Sequence, residues 1–298
     1  MISLYDGGLS ILNAAKPEWL KVRAPVGEGF LKVRAVTKCF GVTTVCDASH
    51  CPNISDCWCR GHASFMVLGD VCTRRCAYCA VRSGEPKKVD LDEPERVAEA
   101  VNSLGFDYVV ITSVTRDDLP DQGASHFSAV VSAVRERCPG TRVELLIPDM
   151  QADAEALSIV ADSRPDVLGH NIETVRRLQP IARDRRCSYE RSLQVLRTIK
   201  RLDSTIVTKS SMMLGLGEKR EEVSQTLRDL RGAGVDIVAI GQYLKPTGNR
   251  LEVEEYVTPE VFEDIREEAE GMGFRYASSA PMVRSSYNAH EAFMDRGR

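Results

Sequence analysis

Apolar residues occur in short runs that alternate with amphipathic stretches from residue 63 onward. Each run has the length of a strand, and each following stretch places its apolar residues at helical spacing. The strand-like runs are 63–70, 107–114, 142–148, 166–172, 204–214 and 236–244. The helix-like stretches are 93–105, 125–138, 152–163, 189–202, 220–234 and 259–273. Six β-then-α units in succession predict a parallel sheet with helices packed on it, because parallel neighbours need a crossover connection.

The apolar runs "VVIT" and "IVAI" fit strands that are buried on both faces. Such a sheet can curl into an incomplete barrel or stay open and doubly wound, and the pattern does not decide between the two. In both folds ligands bind at the carboxyl ends of the strands. The alternation is absent elsewhere, so we predict an N-terminal extension over 1–62, a β/α domain over 63–275 and a C-terminal tail over 276–298.

Composition and charge narrow the class of protein. Hydrophobic residues make up 43% and charged residues 28% of 298 residues, as in an ordinary globular protein. The first twenty residues lack a leader pattern and no apolar run has the length of a membrane span, so we predict a cytoplasmic protein without a membrane partner. The net charge of −4 gives no footprint for nucleic acid. The locally basic run 21–38, which includes Arg23, is either a solvated surface or a docking site for an acidic partner.

Cysteines are concentrated in one part of the chain, with seven of the ten between residues 46 and 79. In a reducing compartment, clustered thiols indicate a metal site rather than disulfides. Their spacing forms two triplets, which are Cys72, Cys76, Cys79 directly after the first strand and Cys46, Cys51, Cys57 in the extension. A further thiol, Cys59, has no obvious place in either triplet.

Three thiolates suit three corners of a cubane iron-sulfur cluster and leave the fourth iron open. An open metal position is typical of a catalytic site, whereas structural sites are closed by four protein ligands. The alternative is a structural zinc site, because Cys76 and Cys79 form a C-x2-C pair with His50 and His62 nearby.

The motifs resemble those of a known family. The segment "CTRRCAYC" resembles the cluster-binding loop of the radical S-adenosylmethionine (SAM) superfamily. The segment "CDASHCPNISDCW", followed by "TSVTRDDLPDQGA", "HNIETV", "MLGLGE", "GQYLKPT" and "VRSSYNA", is similar in order and spacing to the lipoyl synthase family of that superfamily. The similarity runs from about residue 39 to residue 289. It implies a partial (β/α)6 barrel of the radical SAM type, with a cluster-binding extension and a tail.

The resemblance also implies a reaction, in which two sulfur atoms are inserted at C6 and C8 of a protein-bound octanoyl-lysine. Those carbons carry no acidic hydrogen, so the cofactor must supply a hydrogen-atom abstractor. The implied cofactors are SAM and two 4Fe-4S clusters: the first triplet would hold the SAM-binding cluster and the second an auxiliary cluster that donates sulfur. The implied partners are an octanoylated lipoyl carrier domain or H protein, an electron donor such as ferredoxin or flavodoxin, and an iron-sulfur carrier protein.

Further site residues come from the same resemblance. Tyr78, Asn171 and Glu173 would contact SAM, although a buried polar residue at a strand end can also only satisfy backbone groups. The serines of "RSSY" offer a fourth ligand for the auxiliary cluster, with Ser286 favoured over Ser285, although both could simply cap a turn.

Two other functions stay open at this point. One is a different sulfur-inserting enzyme of the superfamily, acting on tRNA or a biotin precursor, although a broadly basic face for RNA is lacking. The other is a non-catalytic iron or zinc protein, which has no reason to leave two clusters each one cysteine short. Three positions differ from the residues usual in the family motifs, with Ala77 in place of proline and Gln122 and Ser211 in place of glycine.

Overall fold

A computed structural model describes residues 16–22 and 26–294 of the chain. The strands are β1 (Thr43–Thr44), β2 (Ser64–Val67), β3 (Val71–Cys72), β4 (Arg82–Ser83), β5 (Tyr108–Ser113), β6 (Arg142–Leu146), β7 (Val167–Gly169), β8 (Val207–Leu214), β9 (Ile237–Gln242) and β10 (Tyr276–Ser279). The α-helices are α1 (Glu28–Phe40), α2 (Val45–Ala48), α3 (Ile54–Cys59), α4 (Glu93–Leu104), α5 (Ala124–Arg137), α6 (Ala154–Asp162), α7 (Gln179–Ala182), α8 (Tyr189–Leu202), α9 (Arg220–Gly232), α10 (Pro259–Gly271) and α11 (Ala289–Met294). Short 3-10 helices span Glu18–Leu20, Met150–Ala152 and Arg176–Leu178.

One large sheet organises the fold, in the order β1-β2-β5-β6-β7-β8-β9-β10. All neighbours from β2 to β10 are parallel, and β1 pairs antiparallel to β2 at one edge. Within the described residues the edge strands β1 and β10 do not pair with each other, so the sheet does not close. The predicted class, an α/β fold with a parallel sheet that forms an incomplete barrel, is confirmed.

The sheet contains two strands that the apolar pattern does not predict. Strand β1 lies in the N-terminal extension, and β10 lies in the segment predicted as a tail, where it adds a seventh parallel strand. The sequence of β10 is "YASS", which is short and half polar. Its residues alternate between buried and partly exposed, so it carries no continuous apolar run that could reveal it.

Helix α8 shows how local sequence determines an element. Its bounds coincide with the predicted stretch 189–202 because strong signals mark the start and the buried face. The hydroxyl of Ser188 accepts a hydrogen bond from the backbone N–H of Arg191, which satisfies one of the unpaired amides of the first turn. Its apolar side chains other than Leu202 are buried, and each stabilises the fold by roughly 1.5–3 kcal/mol relative to an exposed position. None of the helices in the described ranges is both long and apolar enough to span a membrane.

A buried ion pair links β6 and β8. Lys209 Nζ lies 2.9 Å from Glu144 Oε1, and the hydroxyl of Tyr108 donates to Glu144 Oε2 at 2.6 Å. Lys209 is the third residue of β8, so its position is well before the carboxyl end of that strand. A buried charge without a partner is strongly unfavourable. Here Lys209 and Glu144 are each other's charge partner. Lys209 is therefore held in a buried network with Glu144 and Tyr108.

The extension packs on the β/α domain through α1. The ring of Phe30 stacks on Trp58 with centroids 5.1 Å apart, and the side chain of Lys32 donates to the carbonyl of Leu104 at the end of α4. Gly29 is needed for this approach, because a Cβ there would lie 2.8 Å from the Cα of Cys59. Part of the predicted basic run is thus used in packing, and Arg23 of that run lies outside the described residues.

Gln122 is one of the three positions that differ from the usual family sequence, and its backbone conformation shows what the difference costs. Its backbone lies in the left-handed region, with φ of 56°, and the following Gly123 has φ of 88°. Glycine adopts this conformation without penalty, whereas a residue with a Cβ pays roughly 1–2 kcal/mol. The Gln122 side chain offsets part of this cost, since its Oε1 accepts a hydrogen bond from Gln151 Nε2 at 3.2 Å.

Candidate functional site

The first cysteine triplet lies on the loop that follows β2, at the carboxyl ends of the parallel strands. Backbone hydrogen bonds fix this loop, because Thr73 N–H donates to Thr115 O at 3.1 Å and Ala77 N–H donates to Ala182 O at 2.8 Å. The second bond needs an N–H that proline lacks, so Ala77 makes a contact that the usual family residue could not. The loop is thus held against both the β5 and the β7 connections.

All three sulfur atoms of this loop, hereafter the radical loop, are near backbone N–H donors. Cys72 Sγ accepts from Arg74 at 3.4 Å, Cys76 Sγ accepts from Asp184 at 3.3 Å, and Val81 N–H donates to Cys79. Burial nevertheless raises the pKa of Cys79 to about 11, so the free thiol stays protonated. A coordinated metal removes that proton outright, and N–H donors on the sulfur stabilise the thiolate. The triplet therefore fits an iron-sulfur cluster with three thiolate ligands.

A buried ion cluster around Arg74 holds the radical loop in place. The guanidinium of Arg74 contacts Asp117 at 2.7 Å and Asp149 at 2.8 Å, and its Nη1 also donates to Cys187 Sγ at 3.2 Å. The hydrogen bond between Cys187 and Cys76, followed by the charges of Arg183 and Arg74, lowers the pKa of Cys187 to about 6. Sequence reasoning missed Arg74 and Cys187, because a lone cysteine and an arginine between ligands carry no motif.

Tyr78, Asn171 and Glu173 converge beside this loop. The Glu173 carboxylate accepts hydrogen bonds from both Tyr78 and Asn171, and the charge of Arg183 is close to it. Burial raises the pKa of Glu173 more than these contacts lower it. Glu173 has a φ of 70°, a left-handed conformation that is uncommon for a residue with a side chain. The three residues thus form one partly buried polar group next to Cys76 and Cys79.

The second triplet surrounds a separate cavity between the extension and the tail. Helix α2 carries Cys46, the following turn carries Cys51, and α3 carries Cys57. All three line the cavity, and Ser286 from the tail lines it as well. Four possible ligands, three from the continuous segment 46–57 and one from the tail, therefore face one space, which we call the auxiliary cavity.

The residues around the auxiliary cavity fit a cluster with thiolate ligands. Burial, and then the neighbouring Cys51 and Cys46, raises the pKa of Cys57 to about 12. Within the described chain the buried indole N–H of Trp58 has no nitrogen or oxygen acceptor, and it lies close to Cys46. A sulfur atom that carries negative charge would supply the missing acceptor. The buried guanidinium of Arg284 lies near Cys51 and offers a positive charge at the same place.

The remaining candidate ligands lie elsewhere. Cys59 is two residues beyond Cys57 on the same short helix, so its side chain lies on a different face of that helix. Cys59 is exposed, and its thiol contacts the carbonyl of Val26. His50 is exposed, whereas His62 lines the auxiliary cavity. Over residues 16–22 and 26–294, no three His, Cys, Asp or Glu side chains are close enough to hold a single metal ion.

The tail connects the two sites. The amide of Asn53 donates to the carbonyl of Met282 at 2.6 Å, which ties the tail to the auxiliary cavity. The hydroxyl of Ser285 donates to Asn171 Oδ1 at 3.1 Å, which ties it to the polar group beside the radical loop. The consecutive serines therefore face in different directions, Ser286 toward the auxiliary cavity and Ser285 toward Asn171.

Comparisons with known proteins agree with this architecture. A sequence model of the Radical SAM superfamily matches residues 66–230. Methylornithine synthase has a similar fold with a TM-score of 0.55 at 14% identity, covering 90% of this chain and 89% of the other. HydG, a maturase of the [FeFe]-hydrogenase, gives a TM-score of 0.57 at 13% identity, covering 94% and 62% of the two chains. The partial barrel and its cysteine loop define a radical SAM enzyme, a class that uses SAM and a 4Fe-4S cluster.

Closer relatives identify the family within this class. The lipoyl synthase of Pyrobaculum calidifontis is 54% identical over 282 residues, which is 94% of this chain and 96% of that protein. The lipoyl synthase of Halorhodospira halophila is 50% identical over 285 residues, which is 95% of this chain and 85% of that protein. The chain belongs to the lipoyl synthase family and is a sulfur-inserting radical SAM enzyme.

Gly241 on β9 provides a test of how the tail is positioned. A Cβ at this residue would lie only 1.9 Å from the carbonyl oxygen of Val283, three residues before Ser286. Gly241→Ala should therefore displace the tail and reduce lipoyl product by about a hundredfold, as misplacement by an ångström commonly does. Cleavage of SAM should continue, because the radical loop does not touch Gly241. Both products are measured by mass spectrometry after anaerobic reconstitution.

The matched control is Gly232→Ala at the end of α9, where an added Cβ meets no atom within 4 Å. This variant should behave like the unchanged enzyme in both measurements. Equal product formation by the two variants would show that the close crossing of the tail at Gly241 is unimportant for sulfur insertion.

Proposed function

We propose that this enzyme inserts two sulfur atoms at C6 and C8 of a protein-bound octanoyl-lysine, using two separate 4Fe-4S clusters. Cys72, Cys76 and Cys79 hold the cluster that binds SAM. The second triplet and a tail serine hold an auxiliary cluster, through the ligands Cys46, Cys51, Cys57 and Ser286. When bound, the first cluster and SAM supply a 5′-deoxyadenosyl radical able to abstract hydrogen from an unactivated carbon, and the auxiliary cluster supplies sulfur.

One observation carries this proposal: the tail reaches both candidate sites through consecutive serines. Ser286 lines the auxiliary cavity with three thiols, and Ser285 is hydrogen-bonded to Asn171 beside the radical loop. A substrate chain must meet the radical and the sulfur source in turn, so the two sites have to be held at a fixed separation. A tail that is bonded to both can hold that separation, since misplacement by even 1 Å costs about a hundredfold in rate.

The protein's own groups would bind and orient SAM. Tyr78, Asn171 and Glu173 form a partly buried polar group next to the cluster ligands, and the Glu173 carboxylate accepts hydrogen bonds from the other two. A carboxylate held in this way can accept hydrogen bonds from the amino group or the ribose hydroxyls of SAM. Arg183, buried in the same place, balances the charge of Glu173. Oriented donors and acceptors in a dry site need no reorganisation during the reaction.

We assign the substrate to an octanoylated lipoyl carrier domain or H protein and the reductant to a ferredoxin or flavodoxin. An iron-sulfur carrier protein would rebuild the auxiliary cluster after each reaction. All ten cysteines are free thiols, which suits a reducing compartment and supports a cytoplasmic location. The domain division proposed for this reaction is an extension over 1–62, a radical SAM domain over 63–275 and a tail over 276–298.

The number of irons tests the two-cluster proposal directly. Anaerobic reconstitution should give about eight irons per chain, since each cubane cluster contains four. Replacing Cys72, Cys76 and Cys79 together by alanine should leave about four, because the auxiliary ligands lie on separate segments. Iron and acid-labile sulfide are measured chemically, and the electronic spectrum reports the cluster type. Saturation of the unchanged enzyme at half the expected iron would contradict the proposal.

A further inference from the structure

A basic surface lies directly outside the radical loop. It consists of Arg75, Ile181, Arg185 and Arg186, and we call it the rim patch. The segment 181–186 is bonded to the loop at several points: Ala77 N–H donates to Ala182 O, Asp184 N–H donates to Cys76 Sγ, and Arg186 Nη2 donates to Thr73 O. Arg75 is the chain neighbour of Cys76, so the two Cα atoms are only about 3.8 Å apart.

The charge of the rim patch is neutralised locally only at Arg186, which pairs with Asp184 and Asp117. Arg75 and Arg185 are exposed and form no ion pair with any of the described residues. The nearby carboxylate of Asp184 is already paired with Arg186 and has only 10% of its side chain exposed. The patch is thus positive although the chain as a whole has a net charge of −4.

An apolar residue lies within this positive surface. Ile181 is 59% exposed, and among the larger apolar side chains of the described residues only a few are as open to solvent. An exposed apolar side chain on the same segment as two arginines suits a small transient interface, in which charge brings the partners together and the contact area is limited.

We infer that the rim patch binds an acidic one-electron carrier protein that reduces the cluster held by the radical loop. This inference depends on the proposed function, in which that cluster needs one electron for each SAM cleaved. In the step concerned the carrier loses one electron and the cluster gains one, and no covalent bond forms or breaks. The carrier is a flavoprotein or iron-sulfur protein with a negative surface, and it approaches by charge attraction.

Geometry favours an electron carrier over the octanoylated substrate protein. A substrate chain has to reach both cysteine triplets, whereas an electron needs to reach only one. None of the four rim-patch residues lines the auxiliary cavity. The patch instead lies over Cys76 and the segment bonded to it, so a protein docked there is next to the cluster that must be reduced.

The test compares binding and turnover with flavodoxin as the probe. Reconstituted enzyme is titrated with flavodoxin by calorimetry at low and high salt, and product from an octanoyl-lysine peptide is measured with flavodoxin or with dithionite as the reductant. The double variant Arg75→Glu/Arg185→Glu should bind flavodoxin at least about tenfold more weakly at low salt. The difference should largely disappear at about 0.5 M salt, because salt screens exposed charges. For the Arg185→Glu single variant, which leaves the radical loop unchanged, the rate with dithionite should stay unchanged.

Two further variants make the result specific. Arg185→Glu alone avoids any change within the radical loop and should give part of the same loss. The control Arg197→Glu/Arg201→Glu makes the same charge change on α8, toward the end of the helix that leads into the start of β8. This control should bind flavodoxin as the unchanged enzyme does. Iron content is measured in every variant to confirm that both clusters are present.

Each outcome decides the inference. Weaker flavodoxin binding by the rim-patch variants alone supports it. Equal binding by all variants would overturn it, and so would normal flavodoxin binding combined with weaker binding of the octanoylated carrier protein, which would assign the patch to the substrate. If the unchanged enzyme makes no product even with dithionite, the proposed function fails, and the calorimetric comparison still decides whether the patch binds the electron carrier.

Discussion

Replacing Cys76 by alanine should abolish both SAM cleavage and lipoyl product, whereas Cys57→Ala should abolish only the product. The difference follows from the separation of the two triplets, since Cys76 lies on the radical loop and Cys57 lines the auxiliary cavity. Loss of a thiolate from a cluster that already leaves one iron open removes the means to bind and reduce SAM. Cys57→Ala leaves that loop untouched. The measurements are 5′-deoxyadenosine and lipoyl peptide, both by mass spectrometry.

Cys59→Ala is the matched control for Cys57→Ala. Cys59 lies on the same short helix two residues further on, is exposed and does not line the auxiliary cavity. Its removal should leave both products close to those of the unchanged enzyme. Lipoyl product from Cys57→Ala at a rate comparable with that of the control would mean that the second triplet is not the source of sulfur.

The sequence predicts the β/α domain well because its strands are buried on both faces and its helices carry wide apolar stripes. The bounds of α8 coincide with the prediction, and its start is marked by the capping hydroxyl of Ser188. The six predicted strands are all present as β2 and β5 to β9. Strand β10 is the exception, since its small and polar residues give no apolar run, and only pairing with β9 makes it a strand.

The cysteine triplets of the candidate site can be proposed from the sequence, whereas the residues that support them cannot. Cysteine spacing is a local property, so the two triplets are evident from the sequence alone. Arg74, Asp149 and Cys187 come from three distant segments that only the fold brings together, and none has a motif of its own. The same holds for Gly241, whose role depends on a carbonyl oxygen 42 residues further along the chain.

Ser286 is the proposed fourth ligand of the auxiliary cluster. Ser286 lies far from Cys57 along the chain, but closing a long loop costs free energy only as the logarithm of its length. The tail is also tied down before Ser286, through the bond from Asn53 to Met282. An oxygen ligand is hard, and iron in these clusters prefers thiolate. The iron held by Ser286 would therefore be the corner released most easily when the cluster gives up sulfur.

Ser286→Ala should keep SAM cleavage and lower lipoyl product by at least about a hundredfold, the upper range for groups that support a metal site. Ser286→Cys should assemble the auxiliary cluster but release iron slowly, so product should again fall while the iron content stays complete. Ser285→Ala is the control, because that hydroxyl donates to Asn171 and its loss removes one neutral hydrogen bond, worth roughly 1 kcal/mol. Ser285→Ala should lower lipoyl product less than either substitution of Ser286. Near-normal and equal product from Ser285→Ala and Ser286→Ala would contradict this assignment, and a crystal structure with Cys59 on the fourth iron would replace it.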